Sequence, residues 1–206
     1  MVSSIGFDLI ETIAFDPLDG LLRLDRHLAR IKASADQLGF ALNRHAARNE
    51  LQAATFRLRT RSKVRLLASP GGSLSIEVRP LEEPVEPVAV ALLPLPVPGS
   101  DWRLRHKTTD RAFYDDARRA TGTFEVAFTD ADGFMTEGSF TSLFVERDGR
   151  LLTPPLSRGL QPGVLRGELI DSGRAVEADL RPDDLANGFL IGNSARGLLR
   201  ARLRPL

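Results

Sequence analysis

The sequence predicts an α/β (α+β) chain built as two lobes, and three observations carry that reading. Short runs alternate apolar and polar residues at a period of two, as half-buried strands do. Other runs repeat their apolar residues every three or four positions, as helices do, and the two kinds interleave along the chain. A proline-dense passage, ending in Leu93-Pro94-Leu95-Pro96-Val97-Pro98-Gly99-Ser100, forbids helix and stiffens the chain between them. The expected layout is a small N-terminal α/β lobe over residues 1–95, a linker over 96–104 and a larger C-terminal lobe over 105–206.

Phe7 to Ala14 alternates and reads as a strand carrying Glu11 and Thr12. Asp16-Pro17-Leu18-Asp19-Gly20 is a turn, and Leu21 to Leu24 a short strand. Asp25 suits an N-cap, Leu28, Ile31, Ala35 and Leu38 share a helical face, and Gly39 stops that helix. A second helix spans Ala46 to Arg59. Lys63 to Ala68 and Ser73 to Arg79 form strands about a Pro-Gly-Gly turn, and Val88 to Leu93 reads as an edge strand. Beyond the linker, a helix over Asp110 to Thr121 precedes strands at Glu125 to Asp130, Ser139 to Glu146 and Leu151 to Thr153, with turns at Asp132-Gly133 and Asp148-Gly149. Gly163 opens a helix through Ser172. Ala175 to Leu180 reads as a strand, Arg181 to Asn187 as a short helix, and Phe189 to Ser194 as a strand entering a turn.

Composition narrows the chemistry. Hydrophobic residues make up 42% of the 206, enough for a sizeable core. A formal net charge of +1, with acids and bases interleaved, argues against nucleic acid or an anionic membrane as partner. With no cysteine, thiolate metal sites, iron–sulfur clusters and cysteine nucleophiles drop out. The three histidines, His27, His45 and His106, show no zinc-binding spacing, so no metal is expected. No basic-then-apolar leader opens the chain, and the longest apolar run, Val88 to Val97, is too short to span a bilayer. The expectation is a cytoplasmic protein.

Only three lysines occur, Lys32, Lys63 and Lys107. Lys107 stands between the proline passage and a helix, where Arg105 and His106 would lower its basicity; taken alone, such a lysine is most often solvated. Glu137, in Thr136-Glu137-Gly138-Ser139, could pair with a protonated ring nitrogen, though a turn carboxylate is the plainer reading. Gln161-Pro162-Gly163-Val164-Leu165-Arg166 opens a helix whose backbone N–H groups suit an anion. Arg30, three residues after His27, could grip phosphate; Asn193-Ser194, after an apolar strand, could bond phosphate or substrate. Each of these is weak by itself.

In this order, the pieces resemble the class IV aminotransferase family along nearly the whole chain. His27-Leu28-Ala29-Arg30-Ile31 is similar to the family's H-x-x-R helix, Thr136-Glu137-Gly138-Ser139 to its T-E-G-S segment, and Leu152-Thr153-Pro154-Pro155 with Gly163-Val164-Leu165-Arg166 to its T-P…G-[IV]-x-R segment. Glu137 follows Lys107 by 30 residues and Gly163 follows Glu137 by 26, as in the family. Within it, Leu24-Asp25-Arg26-His27, His106-Lys107-Thr108-Thr109-Asp110-Arg111 and Gly192-Asn193-Ser194-Ala195-Arg196 most resemble the 4-amino-4-deoxychorismate lyases. Two features depart from the pattern: Ser142 stands where relatives carry Asn, and the Gly6-Phe7 strand comes earlier than in relatives, which begin with further residues.

The resemblance implies a fold type IV enzyme using pyridoxal 5'-phosphate, with a mixed-sheet or pseudo-barrel C-terminal domain. It implies that Lys107 bonds the cofactor aldehyde and moves the substrate proton. Glu137 would meet the ring nitrogen, and Arg30, Val164, Leu165, Asn193 and Ser194 would hold the phosphate. Arg105, Arg111 or Arg196 would clamp substrate carboxylates. The implied reaction releases pyruvate and 4-aminobenzoate for folate synthesis, in a homodimer that can associate with aminodeoxychorismate synthase. A transaminase of D-amino or branched-chain amino acids shares the same core, and a non-catalytic domain that keeps the fold is the third reading.

Overall fold

A computed structural model describes residues 6–204; residues 1–5, on which part of the leader reading falls, and 205–206 lie outside it. The chain forms two compact units, one of residues 1–82 with 106–110, the other of 83–105 with 111–206. Among the described residues no helix is long and apolar enough to cross a membrane, and no cluster of acids and histidines could hold a metal ion.

The first unit is a four-stranded antiparallel sheet in the order β2-β1-β3-β4, from β1 (Leu9–Asp16), β2 (Gly20–Leu21), β3 (Ser62–Ala68) and β4 (Leu74–Pro80). Helices α1 (Leu24–Leu38) and α2 (Arg44–Thr55) contribute Leu28, Ile31, Ala35, Ala47 and Leu51 to one core with Leu9, Ile13, Val64 and Leu66 of the sheet. The apolar residues on α1 recur every three or four positions, so a single stripe is buried. Asp25 is not the N-cap. That place belongs to Arg23, in the left-handed region at φ 56° and with no side-chain cap bond. Asp25 lies in the first turn, where its charge suits the helix dipole, and it pairs with Arg44 and Arg48 of α2.

The second unit holds an eight-stranded mixed sheet in the order β10-β9-β8-β11-β12-β5-β6-β7. Its strands are β5 (Val88–Pro94), β6 (Glu125–Thr129), β7 (Met135–Gly138), β8 (Ser142–Arg147), β9 (Arg150–Thr153), β10 (Ala175–Glu177), β11 (Phe189–Asn193) and β12 (Gly197–Leu203). Helix α3 (Ala112–Thr121) covers β6 through Tyr114 and Phe128, and α4 (Val164–Asp171) packs Leu165 and Leu169 against Phe144.

Three sequence expectations change here. Val88 to Leu93 is no edge strand: β5 lies inside the sheet, parallel to both β12 and β6, and Val88, Val90 and Ala91 are buried. Its only proline, Pro94, sits at the strand's end, so the ladder loses little. The expected strand from Ser139 to Glu146 begins only at Ser142, because residues 139–141 connect β7 to β8. Finally, β12, rich in Leu and Arg, was not read as a strand at all.

That three-residue connection has a geometric consequence. β7 and β8 stand five places apart in the sheet, about 24 Å if it were flat. The chain from Gly138 to Ser142 reaches at most about 14 Å. The sheet must therefore curl until β7 approaches β8, and the short connection closes the curl.

Candidate active site

In the first unit, Lys107 is fixed by backbone pairing to the start of β1. Ile10 N–H donates to the Lys107 carbonyl at 2.9 Å, Leu9 bridges Thr108, and Thr109 N–H donates to the Asp8 carbonyl at 2.9 Å. The Asp8 N–H in turn donates to the Thr109 hydroxyl at 2.9 Å. Its neighbour His106 is buried, with Nδ1 3.0 Å from the Ser34 hydroxyl.

Arg30 sits beside β1. His27 and Arg30, three apart on α1, share a helix face, and both meet Glu11, which β1 points into the same interior. The Arg30 guanidinium donates through Nε to Glu11 Oε1 at 2.8 Å and through Nη2 to Oε2 at 2.6 Å, a two-point grip that fixes its plane. His27 Nδ1 lies 2.6 Å from Glu11 Oε2. Burial alone would raise the Glu11 pKa, but the Arg30 charge and the bonds from His27 and Arg30 outweigh it and hold the carboxyl at about 2. Sequence reasoning singled out Arg30 and missed Glu11. The missed signal was a carboxylate inside an otherwise apolar strand.

In the second unit, Glu137 is the last residue but one of β7 and is buried. Tyr114 of α3, the only tyrosine in the chain, donates its phenol to Glu137 Oε1. The Tyr114 pKa is driven upward by burial and then by the Glu137 charge, so the phenol keeps its proton and Glu137 remains the acceptor. On the other oxygen, Gln161 N–H donates to Glu137 Oε2 at 3.0 Å. Gln161 lies three residues before α4, so one hydrogen bond ties the Glu137 carboxylate to the approach of that helix.

The N-terminus of α4 has Gly163 as its cap residue and no side-chain cap bond, which leaves the first-turn N–H groups, Val164 and Leu165 among them, for an anion. Gly163 packs closely there: a Cβ would fall 2.7 Å from the Ser142 hydroxyl, which would have to turn away. Ser142, in the place where relatives carry Asn, is buried against this turn. The Asn193 side chain is spent on backbone. It accepts from Ala195 and Arg196 N–H, both at 3.0 Å, and donates to the Phe140 carbonyl at 3.3 Å, while Ser194 is buried on the turn so formed.

Arg111, one of the carboxylate-clamp candidates, donates to the Ser139 carbonyl and stacks over Tyr114, its guanidinium carbon 5.3 Å from the ring centre. It braces the β7–β8 connection. Missed by sequence reasoning were Tyr114 and Glu125, the second a fully buried acid at the start of β6.

This donor and acceptor set fits pyridoxal phosphate. A buried carboxylate kept as an acceptor suits a protonated pyridine nitrogen, and an uncapped helix start linked to it suits the phosphate.

Comparisons with known proteins agree. The amino-transferase class IV family profile matches residues 8–203. A Schizosaccharomyces pombe protein provisionally named an aminodeoxychorismate lyase is 29% identical over 95% of this chain and 89% of its own. A crystal structure from Mesorhizobium loti, provisionally named an amino-acid aminotransferase, superposes with a TM-score of 0.89 at 39% identity, over 96% of this chain and all of that one. The pyridoxal-phosphate-bound form of a Mycobacterium tuberculosis aminotransferase shares the fold, with a TM-score of 0.80 at 23% identity over 95% of this chain and 81% of that one. With its fold type IV architecture and a match along nearly its whole length, the chain belongs to the class IV aminotransferases, a family of pyridoxal-phosphate-dependent enzymes.

Proposed function

We propose that this protein is a lyase that converts 4-amino-4-deoxychorismate into 4-aminobenzoate and pyruvate. The observation that carries the reading is the similarity to the S. pombe protein across 95% of the chain, together with the lyase-like wording around His27, Lys107 and Asn193. Lys107 is the residue that would hold the cofactor covalently, and its Nζ would take the proton from the substrate carbon bearing the amino group. The bound cofactor supplies an electron sink for that carbon. Glu137 holds the proton on the ring nitrogen, and the Tyr114 phenol and Gln161 N–H keep its carboxylate aimed and accepting. Arg30, the N–H groups of Val164 and Leu165, and the Asn193–Ser194 turn hold the phosphate. Arg105, Arg111 or Arg196 are the arginines proposed to meet the substrate carboxylates. A cytoplasmic homodimer, working beside the synthase that makes the substrate in folate synthesis, completes the reading.

A second reading, amino transfer on D-amino or branched-chain substrates, has its own support: the 39% identity to the M. loti protein named as an amino-acid aminotransferase favours amino transfer, and a Thermotoga maritima relative named as a branched-chain aminotransferase points to the branched-chain class. The two separate in one assay. Purified protein loaded with pyridoxal phosphate is given 4-amino-4-deoxychorismate with no amino acceptor. Equal release of pyruvate and 4-aminobenzoate is expected. No release, with turnover of an amino acid and a 2-oxo acid instead, overturns the lyase in favour of the transaminase. Failure to take up the cofactor would leave a domain that keeps only the fold.

A further inference from the structure

The connection of residues 139–141 closes the curl of the second sheet, and its polar groups converge on one side chain. Glu125, fully buried at the start of β6, accepts five hydrogen bonds. Three come from backbone: Val126 N–H at 2.8 Å and Ser139 N–H at 2.9 Å, both to Oε1, and Phe140 N–H at 3.1 Å to Oε2. Two come from hydroxyls, Ser139 to Oε1 and Thr141 to Oε2, the latter at 2.8 Å. Both oxygens face donors only. Two carbonyls of the same connection are taken by side chains, Ser139 by Arg111 and Phe140 by Asn193. Gly138 lies so close that a Cβ there would sit 2.8 Å from Glu125 Oε2.

We propose that Glu125 is a positioning residue: its carboxylate is the mould around which residues 138–142 set, and it thereby fixes where Glu137, one residue before Gly138, and Ser142, which begins β8, are held. The second half of that statement rests on the proposed role of Glu137 toward the cofactor. The Ser139 N–H is shared between Glu125 and the Val126 carbonyl at 3.1 Å, whereas the Phe140 N–H turns to Glu125, so the carboxylate supplies an acceptor where the chain leaves β7. An amide of the same shape cannot substitute, because it turns an NH2 toward donors. Burial raises the Glu125 pKa, offset in part by the bonds from Ser139, Val126, Thr141 and Phe140.

The test uses the full chain with Glu125→Gln, and Thr141→Val as a milder variant that removes one bond to Oε2. Amide hydrogen exchange of the peptide covering residues 136–142 is followed in the cofactor-free protein, and pyridoxal phosphate is titrated into each variant by its absorption band. Glu125→Gln is expected to speed exchange at Ser139 and Phe140 about tenfold or more, to weaken cofactor binding about tenfold, and to move the pH midpoint of the bound-cofactor band. Thr141→Val should move all three in the same direction and less. Should Glu125→Gln fail to fold, Thr141→Val alone decides. Unchanged exchange at Ser139 and Phe140 overturns the mould. Faster exchange with unchanged cofactor affinity and pH midpoint overturns the positioning role and leaves Glu125 a packing residue. If wild-type protein takes up no pyridoxal phosphate, the functional reading fails and the positioning role with it, whereas the exchange result still shows whether the mould exists.

Discussion

Glu11 and Glu125 are buried to the same depth, 1% and 0% exposed, each on a β-strand of a different unit, yet their surroundings push them in opposite directions. Glu11 faces a guanidinium and an imidazole, and its pKa falls to about 2. Glu125 faces three peptide N–H groups and two hydroxyls, and its pKa rises. Five neutral donors around Glu125 do not offset the loss of water, whereas around Glu11 the Arg30 charge together with the hydrogen bonds from His27 and Arg30 does. The difference also separates two kinds of site building. Glu11 spends its charge aiming another charged side chain, Arg30, while Glu125 shapes backbone.

Removing either acid breaks the comparison in a different way. Glu11→Gln leaves the Arg30 guanidinium matched by an amide, and the lost interaction is on the order of 3 kcal/mol from the depressed pKa. A large loss of unfolding free energy by urea titration is expected, and a loss below about 1 kcal/mol would show that Arg30 is not held as described. The pH dependence sharpens the contrast. Because the folded-state pKa of Glu11 lies below its unfolded value of 4.5, its stabilisation is present above that value and is lost as pH falls toward 2. Glu125 has the opposite sign: the fold binds its proton more tightly than the unfolded chain, so its contribution declines as pH rises above 4.5. Urea midpoints of wild type, Glu11→Gln and Glu125→Gln measured across pH should therefore diverge at opposite ends of the range. Parallel curves would remove the distinction.

Smaller effects test the surroundings. Gly138→Ala drives a methyl group against the Glu125 carboxylate and should cost about 1–3 kcal/mol by overpacking, measured as a shift in thermal midpoint. Tyr114→Phe removes only the phenol bond to Glu137. It should cost about 1 kcal/mol of stability and raise the Kd for pyridoxal phosphate modestly. An unchanged Kd would remove Tyr114 from the support of Glu137.

Much of this was legible in the residues. The helical stripe of α1, the turn at Asp132-Gly133 and the Gly163 helix start are local signals, and each formed where period and turn chemistry place it. The interior place of β5 was hidden because flanking prolines mimic an edge, and sheet order is set by distant pairing with β12 and β6. The break at 139–141 was hidden for the same reason: apolar and hydroxyl residues there look like strand, and only the curl of the sheet turns them into a connection. Glu11, Tyr114 and Glu125 carry no motif; what marks them is a polar group in an apolar run, and their partners lie 14 to 23 residues away or more.

The central claim is that Lys107 is the lysine that bonds pyridoxal phosphate, and borohydride reduction of the loaded protein followed by peptide mass spectrometry tests it most directly. A phosphopyridoxyl group on the peptide containing Lys107, lost in Lys107→Ala, is the predicted result. A label on Lys32 or Lys63, or no label with wild-type protein, would contradict it.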